Sequence, residues 1–140
     1  MREILFRGKA KKGELYEGKW IEGGFLWWNG KPCIFYNAIH IEVIPETVGQ
    51  YTGLTDKNGK KIFEGDICRV TRHCILCYGS ITFKKGSFWF DEFNTDSVLE
   101  LSKLEINNFE IKIIGNIHDN PELLKECEGK WDLQYMQMLF

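Results

Sequence analysis

The stretch from Thr47 to Cys68, TVGQYTGLTDKNGKKIFEGDIC, decides the fold of this chain. Asn58-Gly59 stands between Tyr51-Thr52 and Ile62-Phe63, and this spacing predicts a β-hairpin because both turn residues tolerate a positive φ. The stretch carries backbone signals and no recognisable catalytic chemistry. Its structural signature is formed by Gly49, Tyr51, Gly53, Asn58, Gly59, Glu64, Gly65 and Asp66.

Short alternating segments lie on both sides of this stretch. Ile39, Ile41 and Val43 alternate with polar residues, which is the period of a strand with one buried face. Asn29-Gly30 predicts a two-residue hairpin, and Gly23-Gly24 predicts a turn. About ten such strands with frequent glycine turns predict a mainly β fold of the small SH3-like barrel or roll type. No crossover helices separate the strands, which excludes a parallel α/β sheet.

The end of the chain is the only part with a helical pattern. Asn120 suits an N-cap, Pro121 suits the first helical position, and Leu123, Leu124 and Cys127 follow at helical spacing. The last ten residues are rich in apolar side chains, which must pack on their own domain or on a partner. The predicted partner surface of this tail is Trp131, Tyr135, Met136, Leu139 and Phe140.

Composition predicts a folded protein without a global nucleic-acid signature. Apolar residues make up 44% of the chain, and 18 Lys and Arg face 20 Asp and Glu, so the net charge is −2. The N-terminus has no apolar signal segment, and five cysteines without framework spacing indicate a reducing compartment. We therefore expect a soluble cytoplasmic protein with free thiols.

One cysteine and histidine group is a weak candidate for a metal site. Its members are Cys68, His73, Cys74 and Cys77, and Cys74 and Cys77 have the spacing of a zinc knuckle. A structural zinc site needs a second ligand pair, and no second C-x-x-C occurs. The favoured interpretation is a strand or hairpin with small apolar side chains. No phosphate loop, nucleophile elbow or metalloprotease motif occurs, so the sequence predicts no cofactor and no enzymatic activity.

Basic residues near aromatic ones raise an alternative. Lys9, Lys11, Lys12 and Lys19 lie close in sequence to Trp20, and Trp27-Trp28 follows. Such a combination is typical of a stacking platform for single-stranded nucleic acid, with binding that weakens as salt rises. Core packing of the same tryptophans is the competing interpretation, and their exposure decides between the two.

Three blocks of the sequence resemble a known family. Residues 45–67 (PETVGQYTGLTDKNGKKIFEGDI), the opening MREILFRGK and the closing IIGNIHDNPELL at 113–124 are similar, in this order, to the YopX family of phage and prophage proteins. The resemblance implies a phage-encoded protein acting in the cytoplasm of a bacterial host, self-association, and an SH3-like β-barrel at residues 47–118. Residues 1–46 then form an N-terminal β module, and residues 119–140 form the C-terminal helix and apolar tail. The family implies no assigned activity, catalytic residue or cofactor.

Two functional hypotheses follow from the sequence. The first is a non-enzymatic accessory factor that binds a host or phage protein, or its own copies, through barrel loops and the apolar tail. Small SH3-like barrels commonly serve as binding modules, which is an analogy at the level of fold. The second is a nucleic-acid-binding β-barrel protein that uses the four lysines and the nearby aromatic residues. No membrane partner is expected.

Overall fold

The structure is a computed structural model that describes residues 2–124. The described residues form two compact units, the first ending at Leu54 and the second beginning at Thr55. Both units consist mainly of antiparallel strands, so the prediction of a mainly β fold is confirmed. No helix among the described residues is long and apolar enough to cross a membrane.

The first unit is a curled antiparallel sheet. Its strand order is β4-β3-β2-β1-β5, and a 3₁₀ turn at Pro45–Thr47 precedes the last strand. The strands are β1 (Phe6–Lys9), β2 (Trp20–Trp28), β3 (Lys31–Tyr36), β4 (Ile39–Glu42) and β5 (Gly49–Thr55).

The curl of this sheet brings the end of β4 back to the end of β1. The Lys11 N–H donates to the Glu42 carbonyl at 3.0 Å, and the Ile44 N–H donates to the Lys9 carbonyl at 2.9 Å. The core inside the curl consists of short and branched apolar side chains, because the two ends of the sheet lie close together there. Its buried members are Ala10, Ile21, Ile34, Ile41 and Val43.

The second unit holds a five-stranded antiparallel sheet of order β10-β9-β8-β7-β11. Four strands follow one another as a meander, and the last strand returns to pair with the first of them. The elements are β6 (Lys61–Phe63), β7 (Asp66–Arg72), β8 (Ile75–Lys84), β9 (Ser87–Glu92), β10 (Val98–Glu100), α1 (Leu101–Ile106) and β11 (Glu110–Asn116).

Tight turns with positive φ set the register of the hairpins. The predicted Asn29-Gly30 turn is confirmed, with φ of 50° and 74° and with Trp28 paired to Lys31. Asn37-Ala38 and His73-Cys74 form turns of the same two-residue length, although neither pair is a standard turn sequence. These two turns were missed because residues other than glycine rarely adopt positive φ.

Two sequence-based expectations about local structure are wrong, and a third is confirmed with a different geometry. Gly23-Gly24 lies inside β2 and forms no turn, and the glycine at 23 is needed because a Cβ there would stand 2.0 Å from the Phe35 carbonyl oxygen. The predicted turn at Asn58-Gly59 does form, with the Gly59 N–H donating to the Asp56 carbonyl at 3.0 Å, although only Gly59 has a positive φ, of 80°. The helix α1 was not expected between β10 and β11, because six residues are too few to show a helical period.

The predicted C-terminal helix begins where the sequence placed it. Residues 121–124 are helical, directly after Asn120. The side chain of Asn120, however, does not cap the helix as expected. Its Oδ1 atom accepts the Asn116 N–H at 3.1 Å and so closes the loop that precedes the helix.

Candidate ligand-binding face

The signature turn in the middle of the chain is held by one buried carboxylate. Asp56 is only 7% exposed, and its Oδ1 accepts the N–H groups of Asn58 and Lys60, both at 2.9 Å. Its Oδ2 accepts the Ile113 N–H of β11 at 3.1 Å. Burial tends to raise the pKa of Asp56, but the hydrogen bonds from Ile113, Lys60 and Asn58 outweigh it, and the pKa lies below its ordinary value.

The same turn is attached to the edge of β11 by two further contacts. The Lys57 N–H donates to the Ile111 carbonyl at 2.9 Å. The Lys57 Nζ lies 2.7 Å from Glu110 Oε1. The signature turn therefore covers the outer edge of β11, which is the last strand of the five-stranded sheet. This role is structural.

The second acidic residue of the signature has a similar role. Asp66 is 1% exposed, and its Oδ2 accepts the Phe63 N–H at 2.8 Å across the Glu64-Gly65 turn. Gly65 has a φ of 93°, its N–H donates to the Ile81 carbonyl, and its carbonyl accepts the Ile117 N–H. Both buried carboxylates thus accept hydrogen bonds from backbone N–H groups. Buried backbone N–H groups need such an acceptor.

The remaining signature residues lie in β5 of the first unit. Gly49 is buried opposite Arg7 in the register of β1 and β5. Tyr51 is buried, and its N–H donates to the Leu5 carbonyl at 2.8 Å. Gly53 has a φ of 88°, which explains the glycine.

The closing block of the sequence forms a compact asparagine loop. Asn116 Oδ1 accepts the N–H groups of His118 and Asp119 at 3.0 and 2.9 Å. A Cβ at Gly115 would stand 2.7 Å from Asn120 Oδ1, so a glycine is required there. These contacts account for the residue types at 115–120 by local geometry.

The structure does not gather the four metal candidates. Cys68 and Cys77 are buried within β7 and β8, whereas His73 and Cys74 form the exposed turn between these strands. Burial, together with Glu92, raises the pKa of the Cys77 thiol to about 11, which keeps this sulfur protonated. Within residues 2–124 there is no group of three His, Cys, Asp or Glu side chains placed to hold a metal ion.

Of the four lysines proposed for nucleic-acid contact, Lys9 ends β1 and the other three lie in the connection between β1 and β2. Lys12 and Lys19 are exposed in the connection. Lys9 lies with its Nζ 5.9 Å from the centre of the Trp20 ring, and Arg7 lies at 4.8 Å from the same ring. Lys11 reaches across to β4, where its Nζ lies 2.8 Å from Glu42 Oε2.

The exposure of the tryptophans decides between a core and a surface role, and two of them lie at the surface. Trp27 is 66% exposed and Trp28 is 50% exposed. Because side chains alternate along a strand, these neighbours point to opposite faces of the sheet. Trp28 shares its face with its register partner Lys31, and Trp27 shares the other face with Pro32.

The face that carries Trp28 is called here the aromatic face. Register pairs place Phe35 opposite Gly24 on one side and opposite His40 on the other. Phe35 is 54% exposed, and His40 is exposed as well. The aromatic face comprises Leu26, Trp28, Lys31, Phe35, His40 and Glu42 on β2, β3 and β4.

A pocket of about 190 Å³ opens on the aromatic face. The rings of Trp28 and His40 are stacked beside it, with centres 4.5 Å apart and planes inclined by 34°. The lining is polar and aromatic, and consists of Glu14, Trp28, Asn29, Lys31, Cys33, His40 and Glu42. Such a wall offers a flat apolar surface next to charged groups.

Two lysines share one carboxylate at this pocket. Glu42 Oε2 accepts a hydrogen bond from Lys11 Nζ at 2.8 Å, and Glu42 Oε1 lies 3.8 Å from Lys31 Nζ. The hydrogen bond from Lys11 and the nearby ammonium charges hold the pKa of Glu42 below its ordinary value. The same contact raises the pKa of Lys11. Both lysine side chains remain more than half exposed.

Sequence reasoning missed Phe35, His40 and Glu42 as members of this site. A signal was present, because the Asn29-Gly30 turn fixes the pairing of Trp28 with Lys31, and counting by twos from Lys31 leads to Phe35. The contribution of Lys11 depends on the curl of the sheet, which no local pattern reveals. The predicted partner surface at Trp131, Tyr135, Met136, Leu139 and Phe140 lies outside the described residues.

Comparison with known proteins identifies the family and supports the fold. The YopX protein family matches residues 10–125. The crystal structure of protein EF1440 from Enterococcus faecalis is similar, with a TM-score of 0.56 and 25% sequence identity, over 89% of this chain and 99% of that chain. A search of curated proteins gives no match. The family match covers most of the chain, and the chain belongs to the YopX protein family.

Proposed function

We propose that the chain is a non-enzymatic protein that binds single-stranded nucleic acid on the aromatic face of its first unit. The observation that carries this proposal is the exposed Trp28–His40 stack, with Phe35 on the same face and Lys11 and Lys31 at its edge. Every base has a flat π surface, so stacking on such side chains tolerates any sequence.

The charges around the aromatic face set the expected strength and salt dependence. Lys9, Lys11 and Lys31 supply positive charge, and Glu14 and Glu42 offset part of it. About two phosphate contacts give a slope of log affinity against log salt near −1.4 for a single strand. We therefore expect binding to depend on stacking more than on phosphate contacts and to weaken only modestly as salt rises.

The buried carboxylates support a non-enzymatic role. Asp56 and Asp66 are the most buried acidic side chains described, and both accept hydrogen bonds from backbone N–H groups. A carboxylate that holds a turn in place is not available to transfer protons.

A matched pair of tryptophan variants tests the proposal. Fluorescence anisotropy of a labelled oligothymidylate about 12 nucleotides long measures the dissociation constant for the full chain, Trp28→Ala and Trp27→Ala. We expect Trp28→Ala to weaken binding about tenfold and Trp27→Ala to leave it unchanged, because the two side chains lie on opposite faces. Absence of binding by the unmodified chain, or equal effects of both substitutions, contradicts the proposal.

A protein-binding or self-assembling accessory role is the second candidate, and a different surface favours it. The face opposite the aromatic face exposes Trp27, whose ring packs edge-on against Phe25 at 5.4 Å. Exposed tryptophans are common anchors in protein interfaces. This candidate predicts that Trp27→Ala, but not Trp28→Ala, reduces the oligomer mass in light scattering or the capture of a protein partner. A monomeric chain that captures no protein contradicts it.

The SH3-like description of the second unit also belongs to this proposal. Support comes from the strand order β10-β9-β8-β7-β11, in which a short helix precedes a last strand that pairs with the first strand of the meander. Small rolls of this kind present loops for binding. Family membership supports a phage or prophage origin, and with it a role in the cytoplasm of the bacterial host.

A further inference from the structure

Gly24 lies at a position where an added Cβ would have open space. It lies inside β2, its φ is outside the left-handed region, and a Cβ added there would meet no atom within 4 Å. The adjacent Gly23 differs, because a Cβ there would overlap the Phe35 carbonyl oxygen at 2.0 Å. Glycine weakens a strand interior, where it often marks a bulge, a tight bend or a site that a ligand approaches closely, and the open space above Gly24 favours the last of these.

The surroundings of Gly24 show what could approach. Phe35 stands directly opposite Gly24 in the register and is more than half exposed, and His40 is the next residue across the sheet. The missing side chain leaves a notch beside the Phe35 ring. Leu26 forms the next outward position along β2, between Gly24 and Trp28. The notch therefore continues the aromatic face toward β1.

We propose that Gly24 keeps this notch open for one unpaired base, which stacks on Phe35 while a neighbouring base stacks at Trp28 and His40. This inference rests on the proposed function and assigns a second stacking position to the same face. A base on Phe35 must lie flat above the backbone of β2, and a branched side chain at position 24 fills that space. Paired bases cannot enter, so the ligand is single-stranded.

The charge arrangement agrees with a strand that crosses β2, β3 and β4. Lys31 lies beside Trp28 in the register, and Lys11 meets Glu42 at the far edge. Lys9 lies with its Nζ 5.9 Å from the centre of the Trp20 ring, which is on the same side of β2 as Gly24 by alternation, whereas Arg7 is buried beside that ring. Cations therefore flank the two stacking positions at both ends, where the phosphates of a bound strand pass.

The test is Gly24→Val in the full chain, with the labelled oligothymidylate as the probe. Valine favours strands, and a Cβ at this position meets no atom within 4 Å, so we expect an unchanged or higher Tm together with binding weakened about tenfold. Gly24→Ala adds one methyl group and should give a smaller loss. A Gly24→Val chain that is folded and binds as tightly as the unmodified chain overturns the inference.

The outcomes separate this inference from the proposed function. If the unmodified chain binds no oligothymidylate, both are wrong. If it binds and Trp28→Ala weakens the complex while Gly24→Val does not, only the role of Gly24 is wrong. Equal affinity for a duplex of the same sequence also overturns the inference, because a duplex offers no free base to the notch.

Discussion

Removal of the Asp56 carboxylate tests the structural account of the signature turn. Asp56 joins its own turn to β11 through three backbone N–H groups, those of Asn58, Lys60 and Ile113. Asp56→Asn keeps one oxygen for the turn and presents an amide N–H to the Ile113 N–H. Asp56→Ala removes all three acceptor contacts. The two variants therefore separate the turn from its attachment to β11.

The three contacts differ in what their loss costs. Asn58 and Lys60 are exposed, so water can hydrate their amides after the change, whereas Ile113 lies in the sheet and is partly buried. A hydrogen bond to a charged group contributes about 1.5–3 kcal/mol, and hydration recovers part of this at exposed sites. We expect a loss of about 2 kcal/mol in the free energy of unfolding for Asp56→Asn, and about 3–5 kcal/mol for Asp56→Ala.

The pH dependence has a defined sign. The pKa of Asp56 in the folded chain lies below the ordinary value of 3.8. Its contribution to stability is therefore complete above the unfolded pKa and is lost as the pH falls below about 4. Asp56→Asn removes this component, so the difference between the unmodified chain and Asp56→Asn should shrink on acidification from pH 6 toward pH 3.

Urea unfolding followed by circular dichroism at pH 6 and near pH 3.5 measures both effects. Asp96→Asn is the matched control, because Asp96 lies in an exposed loop and its change should stay within about 0.5 kcal/mol. If Asp56→Asn stays within that same range at pH 6, the carboxylate does not hold the turn. A difference that grows on acidification would refute the assigned sign of the pKa shift.

Three further predictions follow from single contacts. Glu42→Gln should strengthen oligothymidylate binding severalfold and steepen its salt dependence in anisotropy titrations, because Lys11 and Lys31 lose their shared carboxylate; unchanged or weaker binding contradicts this. Cys74→Gly should raise the free energy of unfolding by about 1 kcal/mol in urea titrations, since Cys74 has a φ of 69°; a lower free energy of unfolding counts against it. Gly23→Ala should lower stability by at least about 2 kcal/mol through overlap with the Phe35 carbonyl, whereas Gly24→Ala should stay near the unmodified value; equal effects at the two glycines refute the assignment.

The mainly β fold was predictable because its signals are local. Alternation at Ile39, Ile41 and Val43 and the Asn29-Gly30 turn each depend on a few adjacent residues, and the strand β4 and the register of β2 with β3 follow from them. Turns at Asn37-Ala38 and His73-Cys74 were not predictable, since tertiary contacts impose their positive φ on residues that rarely adopt it. The need for a glycine at position 23 was not predictable for a related reason. The atom that excludes a side chain there, the Phe35 carbonyl oxygen, belongs to the neighbouring strand β3.

The candidate site was only partly predictable. Lysines at 9–19 and the Trp27-Trp28 pair were visible in the sequence, and alternation places the two tryptophans on opposite faces of β2. Their exposure was not predictable, because it depends on which face of β2 meets the core. The meeting of Lys11 with Glu42 joins residues 31 positions apart and depends on the curl of the sheet. Such long-range pairs carry no pattern that a single sequence displays.

The most direct measurement of the central claim is an NMR titration of the tryptophan indole N–H signals with unlabelled oligothymidylate. Of the five tryptophans, Trp28 lies on the aromatic face, Trp27 lies on the opposite face, and Trp89 donates its indole N–H to the Lys84 carbonyl in the second unit. The account predicts that the Trp28 signal shifts or broadens, while those of Trp27 and Trp89 keep their positions. A shift of Trp27 without one of Trp28, or no shift in any indole signal at saturating oligonucleotide, contradicts binding on this face.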